Sequence, residues 1–458
     1  MKKQLIFGLA IAGAAIPVHA ADDGDMEVMR QQLNTLKQQV EQLEQRLEQS
    51  EQQRQQAATE AQASGDSGLA VSTGAGHPRG KPLSRDEVKQ IAGDTYDKKE
   101  SQKVQVGGAL RYNYTLAEFA DNQKDRGGDI NFDTFRINVD ADINNLLFSA
   151  EYRFYDYMRT IHHGWVGYRF ADDSEVQVGI SQVPFGLLPY ASNNFYFSSN
   201  FYTGMEDDYD NGVKYVGSRG GFDYAFAFYK NDEKNDSGSD RYSIDATNLP
   251  TGNGLDDSGS PFTGGDEFGD LIQETNTGNI RLAYTLGKGT DYTTELGVSG
   301  QYGQIYNNTQ NENYGHNEAY AVHLHGNYDR WEVMLQATQY EYDLDGDETV
   351  IGAAAYAFNY PFASEADSYI ANVSYTLPLS VGPFDSIEFY NDYSYVGNKS
   401  GGFANTWQNV TGAALAAGNL YTYFDIINGK NEPFVNGFMT GNNTDTQTLF
   451  NINMGYYF

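Results

Sequence analysis

LFNINMGYYF, residues Leu449–Phe458, alternates apolar and polar positions from Phe450 to Tyr456. Phe450, Ile452, Met454, Tyr456 and Phe458 fall on one side of an extended strand, and Asn451, Asn453, Gly455 and Tyr457 on the other. That period of two is the mark of a β-strand with one greasy face and one wet face. A half-buried strand in a soluble sheet and a strand crossing lipid both produce it. The surrounding sequence has to separate them.

Working back from this segment, residues 103–458 carry the same pattern repeatedly. In Phe135–Ile143, the side chains of Phe135, Ile137, Val139, Ala141 and Ile143 face one way and Arg136, Asn138, Asp140 and Asp142 the other. Phe222, Tyr224, Phe226 and Phe228 make another apolar row, as do Tyr320, Val322 and Leu324 opposite His323 and His325. Strands are expected to start near residues 103, 130, 145, 160, 174, 209, 221, 278, 291, 317, 331, 366, 385, 404, 419 and 447. The spacing predicts about sixteen antiparallel strands, an even number within the range of bacterial transmembrane barrels. Alternate connections are short: Asn144-Asn145, Asp172-Asp173, Ser218-Arg219-Gly220, Gly287-Lys288-Gly289-Thr290, Tyr328-Asp329 and Ala417-Gly418. The others read as long, and Asn231–Thr277 as the longest. A barrel with tight turns at one rim and extended loops at the other has this rhythm; a soluble sandwich has no need of it.

Composition points the same way. The formal charge is −32, which disfavours a nucleic-acid partner, since phosphate backbones are bound by basic surfaces. Aromatic residues make up 14% of the chain and tyrosine alone numbers 35, more than a soluble acidic protein has use for. Barrels place such residues in girdles at both lipid–water interfaces. There is no cysteine, so no disulfide framework holds the fold.

The N-terminal part divides differently. Lys2 and Lys3, the apolar run to Pro17 and Val18-His19-Ala20 read as a secretory signal over residues 1–20. Residues 26–55 place Met26, Leu33, Val40 and Leu47 at one core position of a heptad and Met29, Leu36 and Leu43 at the other, predicting a periplasmic α-helical coiled coil. A partly helical Gln-rich spacer is the alternative. Residues 56–102 lose that periodicity in favour of Ala, Ser, Gly and Thr and read as a flexible linker.

If the barrel is closed in lipid, its outer face must be apolar and the opposite residue set lines the lumen. Strand phase puts Arg111, Arg136, Arg153, Lys214 and Arg281 on the lumen side. On the lipid side a mid-strand Arg would cost on the order of 2–4 kcal/mol. Asp140, Asp142 and Glu151 share the lumen face, so these bases either pair structurally or form a ladder for anions; both readings stand. The long connection over about Gln182–Asp208 ends in Glu206, Asp207 and Asp208, which are candidates for the acidic side of a constriction or for an exposed acidic loop. The longest loop, with Asp256, Asp257, Asp266 and Glu267, suits solubility or cation bridges to lipopolysaccharide. His162-His163 and His323/His325 lack the ligand sets of a metal site, no calcium-loop spacing occurs, and no GxSxG or HExxH motif suggests an enzyme. No cofactor is implied.

The segments VQVGISQVPFGLLPY (Val176–Tyr190), GNLYTYFDIINGKNEPF (Gly418–Phe434) and the terminal NINMGYYF resemble the phosphate-selective porin O and P family, in particular its DcaP-like branch with an N-terminal coiled coil. The resemblance implies homotrimers of sixteen-stranded outer-membrane barrels that pass small hydrophilic solutes, with anions such as phosphate or dicarboxylates preferred. Phosphate-specific members line the constriction densely with Arg and Lys. Here the bases are sparse and mixed with acids, so phosphate specificity is not carried over. A structural anchor tethering the coiled coil to the cell wall is the alternative function.

Overall fold

A computed structural model describes residues 102–234, 238–250, 268–346, 348–441 and 445–458. The signal, coiled-coil and linker expectations lie outside these residues, as do Asp256, Asp257, Asp266 and Glu267.

Sixteen of the described strands close into one antiparallel ring. In chain order they are Gln102–Ala117, Asp129–Ile143, Leu146–Phe154, Arg159–Arg169, Glu175–Gln182, Tyr209–Arg219, Phe222–Asp232 and Phe268–Leu286. The second half comprises Tyr292–Asn307, Glu312–Tyr328, Trp331–Leu344, Glu365–Val381, Phe384–Gly397, Thr406–Ala417, Leu420–Lys430 and Gln447–Tyr457. Closure is made by the quoted segment. Leu449 to Tyr457 pair with Ala117 to Ala109 on the first strand, so the sheet has no open edge. Without water in the hydrocarbon layer, such closure is what satisfies every backbone N–H and C=O.

The facing of side chains follows the alternation. Met454, Tyr456 and Phe458 are exposed on the outside, while Asn451 and Asn453 are buried within. Ile137 and Ile143 face out and Arg136 and Asp140 in; Phe222, Phe226 and Phe228 face out; Tyr320 and Val322 face out with His323 inside. The turns at one rim are tight for a local reason. At Asn144 and Asn145 φ is 54° and 68°, the left-handed pair that a two-residue hairpin turn requires and that Asn tolerates.

The opposite rim departs from the expected rhythm in two places. Tyr155–Met158 and Asn308–Asn311 are short connections. In the second case the flanking strands are 16 and 17 residues long, well beyond the roughly 9–11 needed to cross a bilayer, so the hairpin itself projects where a loop was expected. The longest loop also contains a strand, Asp245–Pro250. It pairs with Val350–Ala355, which pairs with Phe358–Ala363, giving a small second sheet not foreseen from sequence. Ile351, Ala353, Tyr360 and Phe362 of that sheet are buried with Tyr340, Tyr342, Phe201 and Tyr202 in a single apolar cluster. This sheet forms a lid, and it packs against the connection that enters the barrel.

Candidate functional site

The connection Val183–Asp208 folds into the lumen and is fastened to the far wall. Asp392, on the strand Phe384–Gly397, accepts four hydrogen bonds from its tip: Asn193 N–H at 2.5 Å, Asn193 Nδ2 at 2.6 Å, Asn194 N–H at 3.0 Å and Asn194 Nδ2 at 2.8 Å. Asn372 Nδ2 donates to Ala191 O (2.7 Å), and Ser199 N–H donates to Ser394 Oγ (3.0 Å). Near the loop's start, Gly186 N–H donates to Ser299 Oγ (3.0 Å) and Leu187 N–H to Gln336 Oε1 (2.7 Å). Gly186 has φ of 60°, a left-handed conformation that favours glycine, at the point where the chain comes up against Gln336 on the wall.

With the loop held against the strands from Phe268 to Gly397, the space that remains lies against the first strands of the ring. It is a cavity of about 860 Å³. Arg111, Arg136, Arg153, Asp133, Glu151, His162 and His163 line it from the wall, Tyr190, Phe195 and Phe197 from the loop, and Tyr242, Tyr356 and Phe434 from the lid side. Strand register explains the basic row. Arg136 stands directly opposite Arg153, and Arg111 lies opposite Thr134, two residues from Arg136. Like charges facing each other across strands repel. Glu151 relieves this, accepting from Arg153 Nε at 2.6 Å and lying 3.4 Å from Arg136 Nη1. Asp133 pairs with Arg111 at 2.7 Å. Aromatic rings cover the guanidinium faces, Tyr242 over Arg153 at 4.4 Å, Phe195 over Arg111 at 5.2 Å and Tyr457 over Arg136 at 5.3 Å. A β-bulge opposite Glu151/Tyr152 turns both His162 and His163 inward, where their rings share a 2.8 Å contact.

The other residues singled out from sequence sit elsewhere. Lys214 is buried and donates to Gln182 O (2.8 Å), at the root of the loop. Arg281 donates to Gly186 O (2.8 Å) and to Glu295 (2.5 Å), so it holds the loop from the far wall. Asp140 accepts from Ser149 Oγ (2.6 Å), and Asp142 is paired with Arg169. Glu206 is turned into the loop, accepting from Ala191 N–H (2.8 Å), Ser198 N–H (3.1 Å) and Ser198 Oγ (2.5 Å). Asp207 accepts from Tyr242 Oη (2.6 Å), joining loop to lid. Burial raises the Glu206 carboxyl and pushes Asp207 up to about 7, against the pull of its hydrogen bonds. Asp208 is driven well up by burial and by its neighbours Asp245 and Glu274.

The family model for phosphate-selective porin O and P matches residues 104–260. That match contains the segment Val176–Tyr190 and the whole inward loop. Salmonella typhi OmpF, in complex with daunomycin, superposes with a TM-score of 0.50 at 13% identity, over 78% of this chain and 98% of its own, which shows a shared fold. The outer membrane channel DcaP of Acinetobacter baumannii is similar at a TM-score of 0.49 and 11% identity, over 79% of this chain and 99% of its own. An anion-selective porin from Comamonas acidovorans is similar at 0.47 and 13%, over 78% and 100%. No curated protein matches in sequence.

Strand phase alone would not have found the anchor of the strap. Asp392 lies on the same face as buried Tyr390 and opposite exposed Phe389 and Tyr393, which marks it as luminal. Nothing local says that it receives Asn193 and Asn194, 199 and 198 residues earlier. Tyr242 and Tyr356 reach the cavity from segments whose sequences carry no strand-wall pattern.

Proposed function

We propose that this protein is an outer-membrane porin through which small hydrophilic solutes diffuse passively, with a preference for organic anions. It acts as a channel and not as an enzyme. The observation that carries the reading is the row Arg111–Arg136–Arg153 facing the one side of the lumen that the strapped loop leaves open. Two guanidinium groups share the single carboxylate of Glu151, so that node keeps an excess positive charge. Guanidinium groups suit carboxylates by shape as well as charge. The aromatic rings around them favour an anion with an apolar body over a fully hydrated inorganic one. Glu206, Asp207 and Asp208 serve to shape the strap, and Lys214 and Arg281 to fasten it. A homotrimer, embedded in lipid and lipopolysaccharide with the tight turns towards the periplasm, is the assembly that suits the apolar outer wall.

Reversal potentials in planar bilayers under a salt gradient test this. The wild-type channel is expected to be mildly anion-selective. Glu151→Gln should strengthen that preference and Arg153→Gln should move it towards cations. A channel that conducts but favours cations, or that ignores both substitutions, would refute the role of the arginine row. Absence of any conductance would refute the porin reading itself.

A further inference from the structure

At the loop rim, around Tyr209, three carboxylates converge from two chain segments. Asp208 ends the inward loop, Asp210 opens the strand Tyr209–Arg219, and Asp245 opens the lid strand Asp245–Pro250. One ligand-capable oxygen from each lies within 4.8 Å of the other two. Asp210 is 6% exposed and Asp245 3%. The decisive detail is their hydrogen bonding. Oδ1 of Asp210 and Oδ1 of Asp208 are both buried and accept nothing from the protein. Burying a carboxylate oxygen without a donor is costly, and placing it beside two more carboxylates compounds the cost.

The donors close by are already engaged. Ser243 Oγ accepts from Tyr209 N–H at 2.9 Å and itself donates to Tyr209 O. Arg241, 0% exposed, donates to Asp232 at 3.2 Å and to Asp245 at 2.8 Å. Glu233 and Glu274, both buried, add further negative charge around the same point. Asp245 thus has one oxygen turned to Arg241 and lies in hydrogen-bond contact with Glu233 as well.

We propose that Asp208, Asp210 and Asp245 bind a calcium ion that clamps the inward loop to the lid. A hard divalent cation supplies the missing partner of Asp208 and Asp210 at once and offsets the charge of all three carboxylates. Calcium fits better than magnesium, because carboxylates drawn from two separate segments make an irregular oxygen shell, which calcium accepts and magnesium does not. The ligands are brought together only when the lid strand is seated, so binding and lid closure are one equilibrium. The site does not depend on what passes through the channel.

The test uses the intact protein in detergent, stripped with a chelator and titrated calorimetrically with calcium chloride near neutral pH. Saturable binding of one calcium per chain is expected, with a higher melting temperature in calcium. Asp210→Asn and Asp245→Asn should each weaken binding about tenfold or more, since calcium affinity follows the number of charged ligands. Without calcium, Asp210→Asn should melt above the stripped wild type, because one repulsive charge is gone, and calcium should then add little. Asp121→Asn, on the exposed short helix outside the site, should bind as wild type does. Retarded gel mobility of unheated protein checks that each variant has a closed barrel, and if one variant fails that check the other decides. No saturable binding by the wild type means that the cluster holds protons in place of a metal, and overturns the proposal. So does undiminished binding by a folded Asp210→Asn or Asp245→Asn variant.

Discussion

The barrel wall and the plug inside it are built on different terms. Along the wall each residue answers to a single boundary, lipid on one side and water on the other. Val298 is 51% exposed to the outside and its neighbour Ser299 is 7% exposed within. Inside, the strap Val183–Asp208 and the lid share one apolar cluster and are pinned in place by polar contacts between residues far apart in the chain. Asp392 with Asn193 and Asn194, Ser299 with Gly186, and Asp207 with Tyr242 are examples. The wall depends on a repeating pattern and tolerates variation within it, whereas the plug depends on particular pairs.

The sharpest way to break the contrast is Asp392→Ala. It removes four hydrogen bonds to one charged acceptor, and such bonds contribute about 1.5–3 kcal/mol each. The strap should come away from the wall at its tip, and single-channel conductance should rise several-fold. Heat-modifiable gel mobility should persist, because the ring itself is untouched. Unchanged conductance would mean that the strap is held chiefly at its root, by Arg281 and Gln336.

Adjacent residues offer a finer comparison. Val298→Arg puts a charge on the lipid face and should destabilise the barrel by about 2–4 kcal/mol in urea titrations of vesicle-embedded protein, with conductance per folded channel unchanged. Ser299→Ala, one residue on, should cost only about 0.5–1.5 kcal/mol, the net worth of the bond from Gly186, yet widen or destabilise the open current. The opposite assignment of the two phenotypes would mean that the strand's phase is reversed.

This difference also explains what could be read in advance. Strand starts expected near 130, 145, 174 and 331 are found at Asp129, Leu146, Glu175 and Trp331, because lipid forces an apolar residue at every second position whatever else the chain does. Phe268 begins its strand ten residues before the expected 278, since the extension rises above the membrane, where the alternation is no longer enforced. The hairpin Val350–Ala363 escapes the pattern for a related reason, clearest in its first arm. Its residues are buried on both faces, so VIGAAA shows no period at all. Of the site, the luminal phase of Arg111, Arg136 and Arg153 was legible. Their sharing of Glu151 depends on register, and the carboxylates of Asp208, Asp210 and Asp245 are brought together by a lid that no local pattern announces.

The subtlest difference between wall and plug is a dependence on pH. Glu432, in the connection after Lys430, is buried beside Lys399, Tyr202 and Tyr360 and accepts from Ser199 Oγ on the strap (3.1 Å). Burial pushes its carboxyl up to about 8, and burial lowers the Lys399 ammonium to about 7. The two act in opposite directions. Because the folded state holds the Glu432 proton more tightly than the unfolded one, its contribution is complete below the ordinary carboxylate range and is lost as pH rises through about 8. Lys399 is held more weakly protonated than when unfolded, so stability recovers as pH climbs from about 7 towards the ordinary lysine range. Glu432→Gln keeps the shape of the side chain and removes the first limb alone. The variant and wild type should be nearly equal in stability only at or below the ordinary carboxylate range, and wild type should fall behind progressively as pH rises from there to about 8, the gap staying constant above it. Thermal melts of the two proteins across that range measure the difference directly. A constant gap at all pH values would show that Glu432 stays ionised in the fold, with Lys399 as its charged partner, and would make this part of the plug as insensitive to protons as the wall around it.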